Sequence, residues 1–150
     1  MMRVSQKCQY ALRGLFELAK RHGQGAVSVA DIARAQAIPP RFLELILRQL
    51  RQGGMVESRR GARGGYLLVA DPATITVGQV VRFTDGPLSP VSCIAGEGGA
   101  AECPLHGGCA FLEMWEEAQD ALAGVFDRTT LEDLVKKSER EVQYVASYSI

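Results

Sequence analysis

Three of the four cysteines in this 150-residue chain, Cys93, Cys103 and Cys109, lie in one segment, CIAGEGGAAECPLHGGC, with nine and then five residues between them. Thiolates are soft donors, and a set of them selects zinc, copper(I) or an iron-sulfur cluster. The glycines leave the segment pliant enough to gather the three sulfurs around one centre. A four-ligand site needs one more group, and three residues come into question. His106 lies inside the segment and binds metals through a neutral ring nitrogen. Cys8 stands on an apolar helical stripe, where a cysteine is more often a core residue. Glu113 stands one helical turn beyond Cys109, on a face that is ordinarily solvated. His106 and Cys8 are carried forward. The plainer readings of the cluster are buried inert thiols or a disulfide. The polarity of the segment opposes the first, and an intracellular setting opposes the second.

A second constellation is basic. In PRFLELILRQLRQ, Arg41, Glu44, Arg48 and Arg51 recur at steps of three and four, opposite an apolar set of Leu43, Ile46, Leu47 and Leu50. Arginine offers paired donors to guanine O6 and N7, and a glutamate accepts from the cytosine amine, so Arg41 and Glu44 are expected to read bases. Arg48 and Arg51, further along, are expected to touch phosphates. Arg60 and Arg63 sit among glycines in RRGARGG, a hairpin tip suited to a narrow minor groove.

The elements that must position these groups follow from caps and periodicity. Ser5 caps a first helix with the stripe Cys8, Leu12, Leu15, Ala19, ending near His22-Gly23. Ser28 and Asp31 open a second, short helix. Pro39-Pro40 suits the start of a third, which runs to Gly53-Gly54. Met55–Arg60 and Tyr66–Val69 read as two strands of a wing. Thr76 and Gln79 form a capping box for a helix ending near Asp85-Gly86, with Ile75 stapled to Val80. The glycine-rich stretch to Gly108 lacks periodicity, and a loop of that length in a compact domain usually binds something. From about Cys109, Leu112, Trp115, Ala118, Leu122 and Val125 mark an amphipathic helix, and Thr129 with Glu132 is expected to cap a last one.

Apolar residues make up 47% and charged residues 23% of the chain, enough for one domain with a core or a small domain plus an appendage. No run is long and apolar enough for a membrane span, and the N-terminus lacks the core of a signal peptide, so a cytoplasmic protein is expected. The net charge of zero hides an asymmetry. Residues 1–70 carry twelve Lys and Arg against four acids, and residues 71–150 carry five against thirteen. A basic front half fits a polyanion such as nucleic acid.

The segments MRVSQKCQYALRGLFELA, IPPRFLELILRQLRQGGMVESRRGARGGYLL and TVGQVVR, together with the three-cysteine loop, resemble the IscR/NsrR-type bacterial iron-sulfur regulators, the Rrf2 family. The resemblance spans residues 2 to about 137, with RGARGGYLL its most specific run, and suggests that translation begins at Met2. It implies a homodimer on a palindromic operator, with the helix after Cys109 packed against its partner. It also implies that Arg41, Glu44, Arg60 and Arg63 contact DNA and that Cys93, Cys103 and Cys109 hold the cluster. Two departures stand out. The family usually has five residues between its first two cysteines, not nine. The histidine that some members carry three residues after the last cysteine is Leu112 here. Other members use an acidic residue from the partner's first helix, a register that falls on Gln9 beside Cys8, which makes a partner-derived Cys8 sterically reasonable.

The expected fold is mostly α: a winged helix-turn-helix with a small two-stranded wing plus a long C-terminal dimerisation helix. Residues 1–85 would form the winged helix-turn-helix that binds double-stranded DNA, 86–108 the cluster loop, and 109–150 the dimerisation helix and a C-terminal helix. The expected function is transcriptional regulation gated by an iron-sulfur cluster (2Fe-2S or 4Fe-4S). The rivals are a direct thiol redox switch, a zinc site, and a protein-interaction module regulating a metabolic enzyme. No nucleophile-base pair, carboxylate pair or phosphate loop points to an enzyme.

Overall fold

The computed structural model describes residues 3–96, 103–105 and 107–147. Three helices come first: α1 (Gln6–Lys20), α2 (Val29–Gln36) and α3 (Pro40–Gln52). Each begins as its sequence requires. The Ser5 hydroxyl accepts from the Cys8 amide, the Ser28 hydroxyl accepts from the Asp31 amide, and Pro40 takes the first position of α3, where a missing N–H costs nothing. The turn between α2 and α3 closes on Ala37, which adopts the left-handed conformation at φ 49°. That turn drops Ile38 into the core, beside Leu15, Ile32, Leu43, Leu47 and Leu50.

Strands β1 (Val56–Arg59) and β2 (Gly65–Leu68) pair antiparallel in the register Val56–Leu68 to Arg59–Gly65. Their inward residues Val56, Tyr66 and Leu68 pack into the same core. A contact not visible in the local pattern anchors the wing: the Val27 and Tyr66 amides each donate to the other's carbonyl at 2.8 Å, adding a bridge between the start of α2 and β2. Gly65 makes this approach possible. Its φ is 149°, and a Cβ there would run into the Val27 carbonyl.

Helix α4 (Val77–Asp85) carries the complete Thr76/Gln79 capping box, with Ile75 and Val80 both buried. Helix α5 (Leu112–Arg128) begins three residues later than expected, because Cys109–Phe111 form a turn and Phe111 offers no side-chain cap. The start of α6 (Leu131–Ser147) is also corrected. Thr130 and Asp133, rather than Thr129 and Glu132, form its reciprocal cap, at 2.9 and 3.1 Å. Thr129 is otherwise engaged: its carbonyl accepts from the Val77 amide and its hydroxyl donates to the Val125 carbonyl, which ends α5.

Helix α6 packs its first turns against the N-terminal elements. Leu131 is fully buried in the core built by α1 to α3, and Leu134 packs with Cys8, Val77 and Val81 in a second apolar cluster. The two helices of residues 109–150 pack differently. The first turns of α6 complete the N-terminal core, whereas α5 buries none of its residues and leaves Leu112, Met114 and Val125 exposed. Among the described residues, no helix is long and apolar enough to cross a membrane.

Candidate DNA interface and thiol site

Helix α3 sets its arginines by burying the other side. Leu43, Ile46, Leu47 and Leu50 are at most 6% exposed, so the remaining positions must face outward. Arg41 is exposed, with no partner among the described residues. Glu44 and Arg48, also exposed, form an ion pair at 2.7 Å along the helix. Arg51, also exposed, donates to the Ser58 hydroxyl at 2.9 Å, tying α3 to β1. At the wing tip Arg60 and Arg63 are exposed, again with no partner among the described residues. Thus α3 turns its arginines away from the core and is tied through β1 to the hairpin whose tip carries Arg60 and Arg63.

Two exposed apolar residues on α3 went unremarked in the sequence. Phe42 is 59% and Leu45 56% exposed, although Leu43, Ile46, Leu47 and Leu50 already fill the inward face. The signal was available, since both fall outside the buried heptad positions.

Cys93 sits on a single 3-10 turn, Ser92–Ile94, while Cys103 and Cys109 precede α5. All three are free and partly exposed. They line one cavity of about 300 Å³ together with Leu112, Trp115, Glu116 and Gln119 of α5. The Gln119 Oε1 is buried without a hydrogen-bond partner among the described residues, an acceptor that an occupant of the cavity could satisfy. Soft sulfur donors, room and an orphaned oxygen suit a metal centre. Yet among the described residues no three Cys, His, Asp or Glu side chains are gathered closely enough to hold an ion. His106, one candidate for the fourth ligand, lies outside the described residues.

The other candidate, Cys8, is fully buried against Val77 and Val81 and is not among the residues lining the thiol cavity. Burial pushes its thiol above the ordinary range; a hydrogen bond with Thr84 opposes this and the nearby Asp85 carboxylate adds to it. A thiol held neutral this way is an apolar core group. Gln9 beside it is exposed and donates to the Val4 carbonyl at 3.1 Å.

A joint ties α4 to α5. Arg82 of α4 makes paired hydrogen bonds to Asp127 of α5, at 2.5 and 2.9 Å, directly over Gly78. The hydrogen bond from Arg82 holds the Asp127 carboxyl below the usual carboxylate range. A second cavity of about 380 Å³ lies alongside, lined by Arg82, Gly86, Pro87 and Ala123, and it shares Ile94 and Gln119 with the thiol cavity.

Residues 4–137 match the profile of the Rrf2 family, described as an iron-dependent transcriptional regulator. The chain belongs to the Rrf2 family. It is 37% identical over 147 residues to the HTH-type transcriptional regulator CymR of Bacillus subtilis, covering 98% of this chain and 99% of that one. Its fold matches the solved structure of CymR, named the global cysteine regulator of B. subtilis, with a TM-score of 0.75, 39% identity, and coverage of 91% and 98% of the two chains. It also matches T. potens IscR, with a TM-score of 0.74, 31% identity, and coverage of 93% and 90%. These Rrf2 proteins share the winged-helix architecture and are transcriptional regulators, not enzymes.

Proposed function

We propose that this Rrf2 regulator binds a palindromic operator as a homodimer and that the cysteine loop controls its grip. Helix α3 would enter the major groove with Arg41 and Glu44 toward the bases, while Arg60 and Arg63 of the wing would follow the adjacent minor groove. The observation that carries this reading is the union of an arginine-bearing α3 and an arginine-tipped wing on one core, beside a loop whose three thiols line a single cavity. In the free state Glu44 engages Arg48, so base reading by Glu44 requires that pair to open.

Cys93, Cys103 and Cys109 would hold an iron-sulfur cluster, which when bound supplies a redox-responsive centre. The chain's own residues carry the consequence. The loop runs from the end of α4 to the start of α5, so a change at its thiols acts on the joint between those helices, where Arg82 holds Asp127. The exposed apolar residues of α5, Leu112, Met114 and Val125, would pack against a second copy. A shift of α5 would then alter the spacing of two α3 helices and hence operator affinity.

A second reading makes the thiols themselves the switch. Their partial exposure, and the lack of a closely gathered ligand set among the described residues, favour it. The kinship with transcriptional regulators gives no support to a module that governs a metabolic enzyme. Purification without oxygen, followed by assay of iron, sulfide and zinc and a visible spectrum, separates the readings. Iron and sulfide in comparable amounts support the cluster, zinc supports a structural metal site, and a metal-free protein with three titratable loop thiols supports the direct switch.

A further inference from the structure

We propose that Leu45 is a methyl reader: it contacts the 5-methyl group of a thymine in the major groove, and so sets operator specificity at one position of each half-site. This rests on α3 being the DNA-reading helix. Leu45 is 56% exposed on a helix whose inward face is already filled by Leu43, Ile46, Leu47 and Leu50, so the core gives no reason for a leucine there. Arg41, Leu45, Arg48 and Gln52 follow one another at steps of four, three and four and therefore share one strip, opposite the buried side. Leu45 is the apolar centre of a cationic strip.

The flanking charges select the occupant. A second copy of the same face would set arginine against arginine around the leucine, whereas a duplex offers phosphates to the flanks. Within the major groove the base edges present donors, acceptors and one apolar group, the thymine methyl. The Glu44–Arg48 pair draws those two side chains together along the helix and leaves Leu45 without a polar neighbour bonded across it. Phe42, although 59% exposed, falls with Gln49 at the margin of the strip, closer to where a helix in the groove meets the backbone.

The test uses duplexes enriched from a random library by the wild-type protein, then resynthesised with deoxyuridine replacing deoxythymidine one position at a time. Affinity is read by fluorescence anisotropy. One buried methyl is expected to change affinity about fourfold, and about sixteenfold when both half-sites are substituted. In Leu45→Ala the thymine-to-uracil ratio at that position falls to about one, while affinity for a random duplex and the helical circular dichroism stay as in the wild type. The proposal is overturned if no position distinguishes thymine from uracil. It is equally overturned if the ratio survives in Leu45→Ala, including the case in which only Phe42→Ala removes it. A wild type that enriches no sequence at all removes the DNA-reading assignment, and this inference with it.

Discussion

Replacing Gly65 with alanine attacks the point where the wing is fastened to the helices. The added Cβ would meet the Val27 carbonyl carbon and oxygen and the Ser28 amide nitrogen, all backbone atoms with little freedom to move. Relief requires breaking the Val27–Tyr66 bridge, two hydrogen bonds of 2.8 Å, each worth about 1 kcal/mol net. A residue with a Cβ held at positive φ adds about 1–2 kcal/mol. The expected loss is therefore about 3–4 kcal/mol, a large part of the roughly 5–15 kcal/mol that holds a typical domain. Urea unfolding followed by circular dichroism measures it. Gly61→Ala is the internal control: φ there is 107°, but a Cβ meets nothing within 4 Å, so only the conformational cost of about 1–2 kcal/mol remains. Equal losses in the two variants would refute the close-approach argument.

The buried position of Cys8 predicts that Cys8→Ala lowers stability by about 1–2 kcal/mol through a small cavity but leaves metal content and loop-thiol reactivity unchanged. Cys103→Ala should do the reverse, and paired urea melts and metal assays distinguish them. Arg41→Ala should cost about 1–3 kcal/mol on the operator and relax preference at one base pair, whereas Arg48→Ala should weaken all duplexes alike, as read in parallel titrations of operator and random DNA. Arg82 lowers the folded-state pKa of Asp127, so the contribution of that pair is complete above the unfolded carboxylate value of about 3.9 and disappears as pH falls through the lower folded value. Acid titration of Trp115 fluorescence should show wild type and Asp127→Asn differing at neutral pH and converging only below the ordinary carboxylate range.

The parts of the fold that are written locally were legible. Ser5, Ser28 and the Thr76/Gln79 box each cap a helix where the sequence places one, because a cap is a bargain between residues three apart. Distant partners were not legible. Nothing near Val27 announces its bridge to Tyr66, and nothing near Thr129 announces that its carbonyl accepts from the distant Val77 amide. Leu131 entering the N-terminal core is the same kind of event. At the candidate site, the arginine face of α3 followed from helical spacing. The brace from Arg51 to Ser58 and the orphaned oxygen of Gln119 depend on how elements meet in space. Cys8 shows both sides: its place on an apolar stripe pointed to the core, while its nearness to Gln9 suggested a ligand, and packing against Val77 and Val81 decided for the core.

The account turns on whether the state of three sulfurs reaches the arginines of α3. The direct measurement is an oxygen-free titration of an enriched duplex with protein as isolated, with protein stripped of metal, and with the Cys93→Ala, Cys103→Ala, Cys109→Ala variant. Affinities that differ at least tenfold between the first form and the other two, at fixed salt, are the predicted result. Identical affinities in all three forms would contradict it.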